Sequence, residues 1–517
     1  MRKQSPRRAL LPLLAVLATA VAAALLTAGP AAASGNYTCP PNTGADVQTG
    51  ISDGGTVYIH GTCHGNFFID ANNALNVTLI GLGTNPTLNG DGNGPVLSIT
   101  GPANVTIKNL TLTNGNAEVG GGIYASFGCD EQDDICGSPE ITVIGSKITG
   151  NTAFAGGGIF TDDCTDVTLT NTTVSNNTAT DGDGGGEEIY GCGFLTVNGA
   201  TFSKNTASTD GGGLAVYFAQ ASVNSSTFSN NTATFANELA GGDGGGIDAE
   251  FSDLQVTNSR LLSNWAYGSG GAIDFGDSQG CAEAPSSSSA AMAAAHHHAT
   301  RSAAPQQPCI GGPTKQPNQP EIPAGLTVSS TTIDHNTAAT FGGGGIENYA
   351  FAGDSPATIS NSTISNNIAP GNDPDGDSGG GGIHQVSCEN NASLTITGSK
   401  IYGNTALSSL GGGISNISLC DGGADVSLGN TLLQNPNSLS PGNQAKYGGG
   451  IYNGGNEVAT LSIAAQSRLY RNKATGTGGG VYNDCLASLT VSPGALLLQN
   501  TPNNIFNSTG CLIVEDD

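Results

Sequence analysis

Three carboxylates and one histidine recur at the same place in successive segments of this chain. Each follows the aliphatic residue that comes directly after a block of glycines, and they are Asp248, Asp274, Glu347 and His384. If these segments are stacked strands, the four side chains share one outward face, ~5 Å apart between neighbouring strands and ~10 Å between alternate ones. Carboxylate pairs near these separations perform glycoside hydrolysis, one as the acid and the other as the nucleophile or base. The alternative is a solvated strand face without chemistry.

The same outward position holds aromatic residues in other segments of the chain. These residues are Tyr124, Phe160, Tyr452 and Tyr482. An aromatic ring presents a large apolar face and, in tyrosine, a polar tip as well. We predict that these four rings stack against the sugar rings of a bound glycan.

An acidic loop offers the expected metal site. Asp373, Asp375 and Asp377 alternate with other residues in a glycine-rich segment, and this spacing resembles half of a calcium-binding loop. The bidentate glutamate that would complete such a loop does not follow, so an ordinary acidic turn is the alternative. Calcium is the only cofactor that the sequence suggests.

A glycine-rich repeat must position all of these residues. Two to four glycines followed by an aliphatic residue recur, and most copies are spaced by roughly 26–37 residues, a period that indicates a solenoid. The copies begin at Gly120, Gly156, Gly211, Gly244, Gly270, Gly342, Gly379, Gly411, Gly448 and Gly478, and Gly184 begins one whose aliphatic residue is displaced. Segments such as Ile141-Thr-Val143 alternate apolar and small polar residues between the blocks, which indicates strands with one buried face.

Stacked strands of this kind define the fold class. Each unit offers about three short strands and buries its apolar face only against neighbouring units. The sequence therefore predicts an all-β, right-handed parallel β-helix of about 12–14 coils, which would be roughly 60 Å long. An asparagine closes the second strand of most units, at 151, 177, 205, 231, 264, 336, 367, 404 and 472. We expect these asparagines to adopt the left-handed conformation and to form an amide ladder.

Two further positions depart from a purely apolar repeat. Glu187 stands where other units have their inward aliphatic residue, which implies either a buried carboxylate or a bulge that turns Ile189 inward. We expect the bulge, because it avoids the cost of desolvating a charge.

Threonines also recur at a second outward position, at 142, 168, 196, 327, 358, 395 and 490. Ice-binding solenoids use such ladders, but Ser222, Gln255, Ser427 and Ser462 interrupt this one.

Twelve cysteines in an exported chain predict disulfides. Three pairs fall at equivalent places on neighbouring coils and should join them: Cys164–Cys192, Cys388–Cys420 and Cys485–Cys511. Three others should close local loops: Cys39–Cys63, Cys129–Cys136 and Cys281–Cys309.

The ends and one insertion complete the domain plan. Residues 1–33 combine early arginines, an apolar run and Ala31-Ala32-Ala33, the order of a cleaved secretory signal peptide. We assign 34–100 to an N-terminal cap with the first coils and 101–517 to the β-helix. Residues 278–323 are rich in Ser, Ala, Pro and Gln, and we expect a disordered surface insertion there.

The net negative charge of the chain limits the partners that it can bind. The net charge of −26 becomes −30 without the signal peptide, because four basic residues and no acidic ones are removed. Such a chain lacks the cationic surface that nucleic acid requires, and no second apolar run of membrane-spanning length follows. We expect a secreted monomer whose partner is a polysaccharide or a cell-surface glycan.

The repeats resemble those of chlamydial polymorphic outer-membrane proteins, in which a glycine-glycine-small-Ile block alternates with Phe-x-x-Asn. The matching segments are Gly270–Ile273, Phe202–Asn205 and Phe228–Asn231. The opening segments Val77–Ile80, Pro86–Gly90, Val96–Ile99 and Val105–Leu110 resemble the first coils of the pectate-lyase-like β-helix superfamily. This resemblance implies the fold over about residues 50–510. It does not select a function, because that superfamily contains lyases, hydrolases and adhesins.

Two functions are therefore predicted. The first is an extracellular binding or structural rod that displays a long face to a glycan or another surface. The second is a polysaccharide lyase or glycoside hydrolase that uses the face from Asp248 to His384. A convergent cleft around these carboxylates would favour the enzyme, and a flat face would favour the rod.

Overall fold

The structure is a computed structural model that describes residues 35–70, 76–129, 136–234, 241–276, 324–351, 353–371, 379–419, 421–434 and 442–508. These residues form one α-helix and 53 strands. The predicted signal peptide, the calcium loop at 373–377, the insertion at 278–323 and the Cys281–Cys309 pair all lie outside the described residues. All of the strand pairs between coils are parallel in the described part of the chain.

The largest sheet, called the long sheet below, contains 27 of the described strands. Most coils contribute two strands to it, separated by a bend. Its strands are Gly35–Cys39, Gly55–His64, Asn76–Asn89, Asn104–Lys108, Thr111–Thr113, Glu140–Ile144, Lys147–Thr149, Asp166–Thr170, Thr173–Ser175, Phe194–Asn198, Thr201–Ser203, Gln220–Asn224, Thr227–Ser229, Asp253–Thr257, Arg260–Leu262, Leu326–Ser329, Thr332–Asp334, Ser355–Ser360, Thr363–Ser365, Ala392–Thr397, Lys400–Tyr402, Ala424–Gly429, Leu432–Leu433, Ala459–Ile463, Arg468–Tyr470, Ser488–Val491 and Leu496–Leu498.

A second sheet, called the glycine-side sheet, follows the glycine blocks and has fourteen described strands. They are Phe67–Asp70, Leu97–Thr100, Ile123–Ser126, Ile159–Thr161, Glu187–Tyr190, Leu214–Tyr217, Ile247–Glu250, Ile273–Gly276, Ile346–Ala350, Ile383–Ser387, Ile414–Ser418, Ile451–Gly455, Val481–Asn483 and Ile505–Asn507. Each coil thus adds one strand to this sheet, which agrees with the predicted 12–14 coils.

The third side is built from short strands in two narrow sheets. The first comprises Asn116–Val119, Thr152–Ala155, Thr178–Ala179, Thr206–Ala207, Thr232–Ala233, Trp265–Ala266 and Thr337–Ala338, and the second Thr405–Leu410, Gln444–Tyr447 and Lys473–Ala474. The strands Gly128–Cys129 and Cys136–Gly137 form a separate antiparallel hairpin. The chain therefore folds as the predicted right-handed parallel β-helix with three sides.

The core is a continuous apolar column inside the three sides. One coil shows how the alternation fills it, because Ile141, Val143, Ile148 and Ile159 point inward and are at most 1% exposed. Burying one such side chain contributes about 1.5–3 kcal/mol, so each added coil stabilises its neighbours. The helix Gly44–Ser52, capped by Thr43, buries Val47 and Ile51 at the first coils.

The predicted asparagine ladder runs along the column from Asn151 to Asn500. In each rung, the backbone N–H and the side-chain amide of one asparagine donate to Oδ1 of the next, as from Asn177 to Asn205 at 3.1 Å. Asn443 and Asn500 add two rungs that were not predicted. The prediction of the left-handed conformation was wrong by one residue, since Asn176 and not Asn177 has φ 54°. The N–H of Asn177 must point along the column to make its rung, so the chain turns just before it.

Two of the predicted disulfides lie wholly within the described residues. Cys164–Cys192 joins neighbouring coils, with 4.3 Å between the two Cα atoms. Cys39–Cys63 joins the first two strands of the long sheet, so it connects neighbouring strands and does not close a local loop. The hairpin places the backbones of Cys129 and Cys136 opposite each other.

Two further cysteines are disulfide-bonded. These are Cys388 and Cys485. Their predicted partners, Cys420 and Cys511, lie outside the described residues, so these two pairings stay predictions.

The column continues past the predicted insertion without a change of register. Ile273 pairs with Ile346 in the glycine-side sheet, and Leu254 pairs with Leu326 in the long sheet. The coils before residue 277 and after residue 323 are therefore direct neighbours.

Candidate functional site

The structure brings the four predicted catalytic residues together. Asp248, Asp274, Glu347 and His384 pair in register on consecutive strands of the glycine-side sheet. They form one outward column, called the acidic column below. They are nevertheless only 0%, 8%, 6% and 4% exposed, respectively. The expectation of a solvated face was therefore wrong.

The glycine blocks explain this burial. In the coils of the acidic column, the turn that precedes a strand of the glycine-side sheet folds back over the outward side chain of that strand. A Cβ added to Gly244 would lie 2.5 Å from Cβ of Asp248, and one added to Gly270 would lie 2.6 Å from Cβ of Asp274. Only glycine leaves room for this approach, so the turns formed by the repeated blocks cover the outward side chains of the acidic column.

Glu347 and His384 form a direct pair in the acidic column. Oε2 of Glu347 lies 3.0 Å from Nδ1 of His384. Nε2 of His384 and the hydroxyl of Ser415 on the next coil are buried without a hydrogen-bond partner in the described part of the chain. This arrangement holds the imidazole in one orientation, but it is closed to a polymeric ligand.

More carboxylates surround the acidic column than its alignment indicated. Burial, followed by the proximity of Glu250, Asp210 and Asp274, raises the pKa of Asp248 well above its usual range. Burial and, to a smaller extent, the nearby charges of Asp243 and Glu347 raise the pKa of Asp274 well above its usual range. Carboxyl groups in such surroundings retain their protons at pH values where exposed ones are ionised.

Some neighbouring carboxylates are held by the backbone of the next coil. Oδ1 of Asp183 accepts from the N–H of Asp210 at 2.9 Å, and Oδ1 of Asp210 accepts from the N–H of Asp243 at 2.6 Å. These aspartates come directly before the glycine blocks and fix the turns to one another. Their role in the observed geometry is to bind the coils together.

Glu187 lies inside the column, where a bulge was expected to exclude it. It pairs with Ile159 and Leu214 in an unbroken register, and it is fully buried. Neither carboxyl oxygen has a hydrogen-bond partner within the described residues. Burial raises the pKa of Glu187 to about 8. A neutral carboxylic acid has a much smaller desolvation cost than a carboxylate, and the cost for the carboxylate was the reason to expect the bulge.

The predicted glycan-stacking rings mainly stack on one another. The ring centroids of Tyr124 and Phe160 are 6.2 Å apart, and those of Tyr452 and Tyr482 are 5.2 Å apart. Phe160 and Tyr452 are 5% and 8% exposed, so their faces are not available to a sugar.

Metal ligands do not converge elsewhere in the described residues. No group of three or more His, Cys, Asp or Glu side chains in the described ranges is arranged to hold a metal ion. The calcium prediction for Asp373, Asp375 and Asp377 stays a prediction.

A second amide ladder inside the column was missed by the sequence analysis. Side-chain amides donate from Asn348 to Gln385, onward to Asn416, and from there to Asn453 and Asn483, at 2.8–3.2 Å. Each stands two residues after the inward aliphatic residue of its glycine block. That spacing was a usable signal, because a residue two positions after an inward one lies on the same inward face of a strand.

The threonine positions form the most regular outward ladder of the long sheet. They pair in register from Thr78 to Thr490 over thirteen coils. Thr358, Thr395, Ser427, Ser462 and Thr490 are exposed, whereas the corresponding residues from Thr142 to Thr327 are half-buried. The C-terminal half of this ladder, from Thr358 to Thr490, is called the hydroxyl face below. It is an open polar surface, whereas the acidic column is buried.

Comparisons with known proteins match a family of repeats and a solved structure. Residues 225–250 match the Chlamydia polymorphic membrane protein repeat, which confirms the resemblance of the repeats. The chain is similar to the crystal structure of tailspike protein 3 of bacteriophage CBA120, with 8% identity and a TM-score of 0.29. That alignment covers 90% of this chain and 58% of the tailspike, so the chain spans little more than half of the tailspike's length. No curated protein matches the sequence. In the described residues, no helix has the length and apolarity needed to cross a membrane.

Proposed function

We propose that this protein is an exported, non-catalytic rod that binds polysaccharide through the hydroxyl face of the long sheet. The observation that carries the proposal is the register of that face, where exposed hydroxyl groups repeat once per coil from Thr358 to Thr490. Evenly spaced hydrogen-bonding groups on a solenoid suit a ligand that is itself extended and repetitive.

Burial of the acidic column supports binding over cleavage. A lyase or hydrolase needs its acid and base in contact with the polymer. Asp248, Asp274 and Glu347 are at least 92% buried beneath glycine turns that have no room for a side chain. We assign these residues to the stability of the coil stack.

Disulfides support an oxidising location for the rod. The Cys39–Cys63 and Cys164–Cys192 bonds join neighbouring coils of the column, and such bonds persist mainly in exported proteins. Together with the predicted signal peptide at 1–33, they favour an extracellular protein.

The test is retention of the mature protein on a panel of insoluble polysaccharides. Thr395→Glu with Ser427→Glu changes two adjacent exposed rungs of the hydroxyl face. We expect this variant to lose at least tenfold in retention, because bulky charges replace the hydroxyl groups that would contact the glycan. The matched control is Thr152→Glu with Thr178→Glu, two adjacent outward rungs of a short sheet, which should stay within twofold of the wild type. Release of reducing ends by the wild type would overturn the non-catalytic assignment.

A further inference from the structure

The outer face of the long sheet changes composition toward its C-terminal end. One strip of outward residues runs in register from Thr111 to Leu496, and it is mostly threonine as far as Thr363, with Lys147 and Arg260 as exceptions. From that point it continues as Lys400, Leu432, Arg468 and Leu496. The neighbouring strip ends in Tyr402, Gln434, Tyr470 and Leu498.

Five of these residues line a cavity of about 240 Å³. They are Gln434, Arg468, Tyr470, Leu496 and Leu498, called the basic-aromatic patch below. Leu496 and Leu498 are 43% and 49% exposed. Two exposed leucines do not mark a binding site by themselves, but beside the cavity they offer apolar surface to a ligand.

Charge concentrates in the same region of an otherwise acidic protein. Only eleven lysines and arginines follow residue 33, and five of them lie between Lys400 and Lys473. Arg468 is exposed and forms no ion pair within the part of the chain that the structure describes. An arginine without a carboxylate partner, in a chain of net charge −26, is available to an anionic ligand.

The tyrosine of the patch is held in place. The guanidinium of Arg471 lies 4.9 Å from the centre of the Tyr470 ring, and the Tyr470 hydroxyl donates to Oε1 of Gln499 at 2.5 Å. Arg471 also donates from Nε to the same oxygen at 3.3 Å. A ring fixed before binding loses little conformational entropy when a ligand packs on it.

We infer that the basic-aromatic patch binds a carboxylate-bearing sugar within the polysaccharide. This inference rests on the proposed function and adds the chemical class of the ligand. The planar guanidinium of Arg468 matches a carboxylate through two parallel hydrogen bonds. Tyr470, Leu496 and Leu498 supply the apolar surface on which the C–H face of a sugar ring packs, and Gln434 offers donors and an acceptor to its hydroxyl groups. A sulfate ester can also accept two hydrogen bonds from the guanidinium, but, because it is tetrahedral, it leaves a third anionic oxygen outside the plane of the pair.

The test is calorimetric titration of the mature chain with a glucuronate-containing tetrasaccharide, its carboxyl-reduced counterpart and a sulfated oligosaccharide without carboxylate. We expect binding of the first and at least tenfold weaker binding of the other two. Arg468→Gln should weaken the first interaction at least tenfold. Arg260→Gln is the matched control, because Arg260 is an exposed arginine on the same strip with Thr227 and Thr332 as neighbours, and it should leave the affinity within twofold.

Three results would overturn the inference. They are equal binding of the reduced tetrasaccharide, equal or tighter binding of the sulfated one, and unchanged affinity of Arg468→Gln with an unaltered melting temperature. Retention of the wild type on neutral polysaccharides without any glucuronate binding would overturn the inference but leave the proposed function standing. If the wild type were retained on none of the polysaccharides, the proposed function itself would be overturned.

Discussion

Among single residues, Glu187 is the clearest departure from the repeat, because it replaces an aliphatic residue in the interior of the column. Its carboxyl group is tolerated in its protonated form, since burial raises the pKa to about 8 from the ordinary 4.5.

This pKa makes a prediction about stability and pH. The folded state retains the Glu187 proton between the unfolded pKa of 4.5 and the folded pKa of about 8, so the free energy of unfolding should fall as pH rises through this window. Glu187→Leu restores the aliphatic residue of other coils, so it should remove this part of the slope and raise the melting temperature above pH 7 by several degrees. The measurement is thermal unfolding from pH 4 to 9.

The control for this prediction is Glu457→Gln, since Glu457 is exposed. It should reproduce the wild-type slope. A Glu187→Leu variant with the same pH dependence as the wild type would show that Glu187 is ionised in the folded protein.

Strands and turns were largely predictable from the sequence, and side-chain exposure was not. The period-two alternation around Ile141 and Val143 fixes which side chains point inward, and the asparagine spacing fixes the ladder. Nothing in the sequence shows that the turn containing Gly244 folds over Asp248, because this contact depends on the path of the chain between two sheets. The predicted site was therefore correctly aligned in space but wrongly assigned to solvent.

The glycine turns make a prediction of their own. Gly244→Ala should destabilise the protein by about 3 kcal/mol or more, because the added Cβ would meet Asp248 at 2.5 Å and the residue has φ 60°. Gly92→Ala is the matched control, since Gly92 has φ 73° but no atom within 4 Å of the added Cβ. It should cost only the conformational strain, about 1 kcal/mol. Denaturant unfolding measures both, and equal losses would mean that the turn does not cover Asp248.

The whole molecule is a β-helix whose three sides present different surfaces. The glycine-side sheet buries the residues of the acidic column under turns, and the outward threonines of the short sheets, such as Thr152 and Thr178, are half-buried. Among the described strands, the long sheet alone presents an open polar ladder together with a basic-aromatic patch at its C-terminal end. Only the alternative prediction, a lyase or hydrolase, used the acidic column, because carboxylates suggest chemistry, whereas Arg468 and Tyr470 belong to no motif that would identify them.

The most direct test of the account is hydroxyl-radical footprinting of the mature protein with and without the polysaccharide that retains it. We predict that the ligand protects Tyr402, Tyr470 and Leu496 on the long sheet. Phe127 directly follows the glycine-side strand Ile123–Ser126, and Phe341 lies in the turn that leads to the strand Ile346–Ala350. They are 46% and 45% exposed and should keep their reactivity. Protection of Phe127 and Phe341 with an unchanged long sheet would contradict the account and return the function to the acidic column.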